Sequence, residues 1–354
     1  MIENKVQMRI NELKCGMVLA GDIVSENTVL INRGAVITDI LINKLKEKYI
    51  LAKIEVFISN NDITSPIIVD KKKTAEDIQQ SFDKFSSNVK NIFDNIYNGD
   101  TTDIIEVKNF AKRIQEEMNP TLDVIKNIVF YGSGKDSIYR HSVNVAALSS
   151  TLGRWLGLTD NDIDLLTCAA ILHDFGKTKI SRTILDKIES LTKYEFDEIK
   201  KHPVIAYTSL KKIPNLDSVV SLGVLMHHER LDGSGYPFGS KQDQINVFAK
   251  IIAIADTFDA INSTRAYKKS KGPFEALEII QTESLGKLDY EYCNVFLEHM
   301  INYYVGESVL LNTNTICKIV FIDINDLAHP LLINGSEFIS LNQNKSLYIE
   351  TLVL

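Results

Sequence analysis

The sequence predicts a multidomain chain. A central all-α bundle over residues 120–305 is flanked by a small N-terminal α+β module over 1–70 and a short C-terminal β appendage over 306–354. Three observations lead there. From 120 to 305 one apolar helical run follows another, and the breaks fall at Gly132, Gly134, Gly157, Gly176, Pro203, Pro214, the glycine-rich 233–239 and Gly272-Pro273. No strong alternating run interrupts this region, which argues for helices packed on helices. Both ends of the chain instead carry short β-branched runs punctuated by turn residues.

In the N-terminal module, Val18-Leu-Ala, Thr28-Val-Leu-Ile-Asn and Ile54-Glu-Val-Phe-Ile have strand character, and residues 38–49 read as a short capped helix. No chemistry is visible there. Residues 71–119 read as a helical linker. Ile78, Phe82, Phe85, Val89, Ile92, Phe93 and Ile96 recur at three- and four-residue spacing, the stripe of an amphipathic helix. Such a stripe buries itself in a core or forms the seam of a homodimer. Asn98-Gly-Asp and Asn119-Pro mark the next boundaries. After residue 306, Ser308-Val-Leu-Leu, Cys317-Lys-Ile-Val-Phe-Ile and Ser346-Leu-Tyr-Ile-Glu-Thr-Leu-Val-Leu read as strands.

Composition narrows the function. The chain has 354 residues, 45% hydrophobic and 24% charged, ordinary values for a globular protein. Its net charge of −7 argues against a generic nucleic-acid or anionic-membrane binder. The four cysteines, Cys15, Cys168, Cys293 and Cys317, are far apart and form no C-x-x-C, so neither a disulfide scaffold nor a cysteine-built zinc site is expected. No signal-like segment and no run long enough to span a bilayer is seen, and a cytoplasmic location is expected.

The chemistry gathers at His173-Asp174-Phe175-Gly176-Lys177, which closes the apolar helical run Ile163, Leu166, Ala169, Ala170, Leu172. Adjacent residues do not share a helix face. They meet at one point only if the helix ends there and the second turns inward, which Gly176 would permit. Five of the seven histidines lie in this region beside suggestive neighbours: His141, His173, His202, His227 and His228. His299 and His329 lack such context. Asp256 sits in Ile251-Ile-Ala-Ile-Ala-Asp-Thr-Phe-Asp, apolar nearly all round, where a carboxylate must be paired or bind a metal. Asp259 is on a similar face and could support it.

One such histidine is usually an ordinary core or helix-end residue. Five, with Asp174 and Asp256, exceed the roughly three protein ligands of one catalytic metal. The set fits two divalent metals bridged by a carboxylate, able to activate water and to clamp a phosphorus undergoing in-line displacement. Nitrogen and oxygen ligands without thiolate suit iron, manganese, nickel, cobalt or zinc. Glu229-Arg-Leu-Asp-Gly-Ser-Gly-Tyr-Pro, directly after the histidine pair, reads as a tight loop in which Gly233 and Gly235 allow positive φ. Arg265, Lys268 and Lys269 could grip phosphates or form a solvated basic face.

These residues carry a family resemblance. RHSVNVAALS around His141, AAILHDFGKTKI around His173, KKHP around His202, HHERLDGSGYP from His227 and IIAIADTFDAI around Asp256 resemble, in order and spacing, the HD-GYP branch of the HD metal-dependent phosphohydrolases over about residues 125–300. The resemblance implies an HD-type helical bundle around a two- or three-metal centre, often iron or manganese. It implies hydrolysis of cyclic di-GMP to pGpG and on to GMP, with cyclic GMP-AMP as a further substrate. By position it implies metal ligation by His141, His173, Asp174, His202, His227, His228 and Asp256, with Asp174 bridging. Lys177 would face the scissile phosphate. Arg265 and Lys268 would bind the nucleotide, and Gly235, Tyr236 and Pro237 would shape the pocket and meet diguanylate cyclase-type signalling partners.

There are departures. The glutamate of three-metal members is Ser137 here, with Asp136 beside it, so two metals are expected. The usual S-D-R-P-Y-R reads Ser263-Thr-Arg-Ala-Tyr-Lys. The leading expectation is a phosphodiesterase in which metal-bound hydroxide attacks phosphorus. Its rivals are a sensor that holds the dinucleotide with weak turnover and, against the grain of the glycine-tyrosine-proline loop, an oxygen-activating di-iron protein.

Overall fold

The structure is a computed structural model. It describes residues 4–10, 13, 17–21, 23–25, 28–31, 37, 42, 53–58, 75–99, 104–118, 122–133, 137–187, 189–265, 274–335, 337–344 and 346–353. The chain divides into two compact units, Met1–Lys73 and Thr74–Leu354.

In the first unit, strands β1 (Asn4–Arg9), β2 (Val18–Leu19) and β5 (Lys53–Ile58) form an antiparallel sheet in the order β1-β5-β2, and β3 (Ile23–Ser25) pairs with β4 (Thr28–Ile31) in a separate hairpin. Ile54 and Val56 are buried while Glu55 between them is half-buried, the period of a strand with one face on a core. They meet Ile10, Leu13, Leu19, Ile37 and Ile42. The helix expected over 38–49 lies outside the described residues except at Ile42.

The second unit is mostly helical. Helices α1 (Ala75–Asn98) and α2 (Ile104–Glu117) come from the stretch read above as a linker, yet they pack into the same core as the helices that follow. All seven apolar residues of the α1 stripe are buried. Phe82 lies beneath the Arg140 guanidinium, and Phe93 meets the Tyr139 and Phe175 rings edge-on. Next come α3 (Leu122–Tyr131), α4 (Ser137–Trp155) and α5 (Asp160–Leu172). Thr159 caps α5 by accepting from the Asp162 amide. Every residue of α5 from Leu165 to Leu172 is buried, so α5 is a central helix with no solvent face beyond its first turns.

A 3-10 turn (Phe175–Lys179) follows α5, and then α6 (Arg182–Leu185), α7 (Lys193–Ile199), α8 (His202–Leu210) and α9 (Ser218–Met226). Thr192 and Glu195 close α7 with a reciprocal capping box, and Pro203 occupies the first turn of α8, where no amide is needed. Three more helices, α10 (Val247–Arg265), α11 (Glu275–Glu283) and α12 (Tyr290–Tyr304), complete the bundle. Helices α4, α5 and α10 are its mutually packed centre. The C-terminal strands β6 (Ser308–Leu311), β7 (Ile316–Asp323), β8 (Asp326–Asn334), β9 (Glu337–Ser340) and β10 (Ile349–Leu352) make an antiparallel sheet in the order β10-β6-β7-β8-β9. Its buried residues, among them Val309, Cys317, Ile319 and Leu332, join the helical core. Among the described residues no helix is long and apolar enough to cross a membrane.

Gly176 is where the 3-10 turn touches α8. It does not take a positive φ; a Cβ there would run into the His202 carbonyl. Only hydrogen fits, so the glycine serves a close approach and not a left-handed turn. Gly176→Ala is therefore expected to separate the turn from α8 and destabilise the fold by about 1–3 kcal/mol, the cost of overpacking. Phe93→Ala is expected to cost about 3–5 kcal/mol. Urea unfolding of each variant checks both values, and a wild-type midpoint for either would contradict the packing described.

Candidate metal centre

Five separate elements deliver side chains to one buried point. His141 projects from the second turn of α4, and Asp256 from the middle of α10. His173 still has helical angles at the end of α5 (φ −56°, ψ −39°), whereas Asp174 leaves the helix at φ −96°, ψ 3° and opens the 3-10 turn. That change of direction lets two consecutive residues face one point. His202 opens α8, and His227 and His228 directly follow α9. His173, His202 and His227 are fully buried, and Asp174 nearly so.

The protons on these rings follow from their partners. Nδ1 of His173 lies 2.7 Å from the Ala170 carbonyl, Nδ1 of His202 2.8 Å from that of Ile199, and Nδ1 of His227 2.6 Å from that of Val224. A carbonyl only accepts, so each Nδ1 carries the hydrogen. Burial holds all three imidazoles below their ordinary pKa, His202 at about 4, so they are neutral near pH 7. Each therefore presents a bare Nε2 lone pair inward. His202 and His227 point these lone pairs at each other across 3.3 Å, and Nε2 of His173 lies 3.2 Å from Nε2 of His141. The facing lone pairs of His202 and His227 repel unless a cation stands between or beside them.

Asp174 sits among them. Its Oδ1 is 3.3 Å from His202 Nε2, its Oδ2 3.5 Å from His141 Nε2 and 3.7 Å from His173 Nε2. Oδ1 is buried without a hydrogen-bond donor. Two ligand groups emerge among the described residues, Asp174 with His202, His227 and His228, and His141 with His173 and Asp174, the atoms of each lying within 4.8 Å of one another. Asp174 belongs to both. An orphaned buried carboxylate oxygen amid bare imidazole nitrogens is the donor chemistry of divalent metals, so these residues fit such ions.

Asp256 stands 3.1 Å from His141 Nε2 and 3.8 Å from His228 Nδ1. Burial opposes the charge on both Asp174 and Asp256, but the surrounding cations and imidazoles overcome it and hold both far below the carboxylate range. His141 is the exception among the rings. Burial lowers its pKa, and the hydrogen bonds to Asp256 and Asp259 more than reverse this, raising it to about 10. Lys177 puts its ammonium 2.6 Å from Asp174 Oδ2 and remains partly open to solvent.

The loop after His228 is held from inside. Glu229 is buried, and its carboxylate accepts from the amides of Phe238 at 2.8 Å and Ser240 at 2.9 Å. Gly233 does take a positive φ, of 82°, but Gly235 does not. Gly235 is needed because a Cβ there would strike the backbone of His228 and Glu229. The Tyr236 ring stacks on His228 at 4.6 Å, and the Tyr236-Pro237 bond is cis. Tyr236 thus covers one side of the His228 ring. Arg265 ends α10, but its side chain and all of Lys268, Lys269 and Asp136 lie outside the described residues. His299 stacks on Trp155, and His329 pairs with Asp326, both far in sequence from the centre's elements and engaged elsewhere.

Asp259 differs from its expected place. It supports not Asp256 but the back of His141, with Oδ2 2.6 Å from Nδ1. Its other neighbours, Asn144, Ser133 and Ser263, were not singled out from the sequence. The only sequence signal was helical spacing, Asn144 one turn after His141 and Ser263 one turn after Asp259.

Comparison with known proteins agrees with this geometry. Residues 124–291 match the sequence model described as "HD domain". The chain is 33% identical over 215 residues to a protein of Pseudomonas aeruginosa described as a cyclic di-GMP phosphodiesterase, covering 61% of this chain and 52% of that one. It is 33% identical over 209 residues to one of Borreliella burgdorferi with the same description, covering 58% and 55%. The chain thus spans about half the length of these curated relatives. Among solved structures, an HDG"Y"P protein from Bdellovibrio bacteriovorus superposes with a TM-score of 0.53 at 19% identity, over 84% of this chain and 100% of that one, which shows a shared fold. The stretch that gathers these histidines and aspartates, residues 124–291, is thus similar to the HD domain family.

Proposed function

We propose that this protein is a metal-dependent phosphodiesterase that hydrolyses cyclic di-GMP to pGpG and on to GMP, with cyclic GMP-AMP as a second substrate to be tested. The observation that carries the reading is the convergence of bare imidazole nitrogens on Asp174, shared by two ligand groups. Relatives described as cyclic di-GMP phosphodiesterases support the choice of substrate. His141, His173 and Asp174 would hold one divalent ion, and Asp174, His202, His227 and His228 the other, with Asp256 beside both. Iron and manganese are favoured by the family resemblance; the donor set also suits nickel, cobalt and zinc. When bound, the pair supplies activated water and neutralises charge at phosphorus.

The chain's own residues do the rest. Lys177 carries its ammonium from Asp174 toward solvent, where a phosphate oxygen would arrive, and would stabilise the charge growing there. Tyr236 and Pro237 close one side and exclude water around His228. Glu229 keeps that wall in place by binding the amides of Phe238 and Ser240. Arg265 and Lys268 are proposed to bind the nucleotide's remaining phosphate and base. The protein would act within the cytoplasm, with diguanylate cyclase-type proteins as signalling partners.

Product analysis tests this reading. Protein purified without oxygen and loaded with iron or manganese is expected to convert cyclic di-GMP to pGpG or GMP, seen by chromatography, and Asp174→Ala to abolish the product. Lys177→Ala is expected to lower kcat by about 10²–10³-fold. Tight nucleotide binding with no product from either metal form would favour the sensor instead. Oxygen consumption on a substrate that is not a nucleotide would favour a redox di-iron protein.

The metal-free protein has a predictable pH response. The folded pKa values of His173, His202, His227 and His228 lie below the unfolded value of about 6.5. Between pH 6.5 and about 4 the unfolded chain binds protons that the folded chain refuses, so stability is complete above this window and drains away as pH falls through it. His141 acts oppositely, adding stability that is complete below about 6.5 and lost as pH rises through about 10. The Tm of chelator-treated protein is therefore expected to fall between pH 6.5 and about 4, and a flat Tm there would contradict neutral buried rings.

A further inference from the structure

Asp259 is fully buried on α10, three residues from Asp256. Its Oδ2 receives His141 Nδ1 at 2.6 Å and the hydroxyls of Ser133 and Ser263, each at 3.2 Å. Its Oδ1 accepts from the Asn144 amide at 2.6 Å. The two serines are themselves linked, Oγ to Oγ at 2.6 Å, and the Ser133 amide donates to Ser263 Oγ at 2.8 Å. At the neighbouring Gly132 a Cβ would collide with the Ser263 backbone, so the turn after α3 is pressed onto α10 at this point. The carboxylate is thus fixed by α4, by the turn after α3 and by α10 itself.

Resting on the metal-centre reading above, we infer that Asp259 is the positioning residue that sets which nitrogen of His141 faces the metal. An ionised carboxylate only accepts, so it requires the hydrogen on Nδ1 and makes Nε2, beside Asp174 and His173, the nitrogen available to a metal. The other three buried histidines obtain the same tautomer from backbone carbonyls. No backbone carbonyl does this for His141, whose Nδ1 meets a side chain. The His141–His173–Asp174 group is therefore the half of the centre that a side-chain substitution can switch off by hydrogen-bond direction alone.

The orientation of an amide makes this testable. In Asp259→Asn the Asn144 NH₂ still demands an acceptor, so the new amide turns its oxygen to Asn144 and its NH₂ to His141. His141 Nδ1 then accepts, Nε2 gains the hydrogen, and it no longer binds a cation. The fold changes little, since the substitution is isosteric and the serine hydroxyls can rotate to accept. Adding Asn144→Asp supplies an acceptor instead, turns the amide round and restores the bare Nε2.

The experiment is manganese titration of the full-length chain, reading free Mn²⁺ by electron paramagnetic resonance, with circular dichroism to check folding. Wild type is expected to bind two ions. Asp259→Asn is expected to keep one at wild-type affinity and to bind the other about 10–100-fold more weakly, and Asp259→Asn with Asn144→Asp to recover it. Two ions held with unchanged affinity by Asp259→Asn would overturn the inference. So would a folded double variant no better than the single, or equal weakening of both ions. Should Asp259→Asn not fold, nitrogen-15 resonance of the zinc-loaded wild type decides the point: the hydrogen on Nδ1 of His141 is expected, and its absence overturns the assignment. A wild-type chain that binds no manganese would sink the metal-centre reading itself, a result distinct from any of these.

Discussion

The constraint on which the rest depends is that the bare Nε2 lone pairs of His173, His202 and His227 lie around a buried carboxylate whose Oδ1 has no donor. The His202 and His227 Nε2 atoms 3.3 Å apart and an Asp174 oxygen without a donor form an arrangement suited to a cation. Burying a carboxylate costs several kcal/mol unless it is paired. The surrounding helices must therefore hold these groups together against their own repulsion and desolvation. The pKa pattern expresses the same strain, with three rings kept neutral by burial and His141 kept charged by two aspartates.

The helical frame answers that demand with fully buried packing on every side. Helix α5 carries His173 on a segment that is buried all round, and α4 and α10 pack against each other and bring His141 and Asp256. Phe175, next to Asp174, is pinned by Phe93 of α1, so a helix outside the region matched by the HD domain model buttresses the turn that carries the shared ligand. Gly176 allows α8, and with it His202, to come within van der Waals range of that turn. The ligands mostly sit at helix ends, where the chain changes direction and a side chain can be aimed without spending a whole helical face.

Hydrogen bonding then assigns the protons. Three histidines use carbonyls from the last turn of their own or the preceding helix, which come with the backbone and tolerate substitution. His141 lies inside α4, where carbonyls are already engaged, and needs Asp259. The loop beyond His228 shows the same economy, since one buried carboxylate, Glu229, satisfies two loop amides and fixes the Tyr236 wall.

Much of this was legible in the sequence, because it depends on local spacing. The helical period of the α1 stripe, the all-round apolar runs before His173 and around Asp256, and the breaks at glycine and proline identify a helical bundle with polar ligands buried in it. The co-occurrence of five histidines and two aspartates points to divalent-metal chemistry. What the tertiary structure decided is everything that depends on which elements touch. Helix α1 reads as a linker in isolation, and only packing shows that its stripe is part of the bundle core. Gly176 and Gly235 look like turn glycines, and only neighbouring chain segments show that they are needed for close approach. Asp259 looks like a companion of Asp256 because both share a helix, yet its carboxylate serves a histidine 118 residues away. Sequence spacing fixes the face of a helix on which a group lies, but the partner across that face belongs to a different helix, and only the packed fold brings it there.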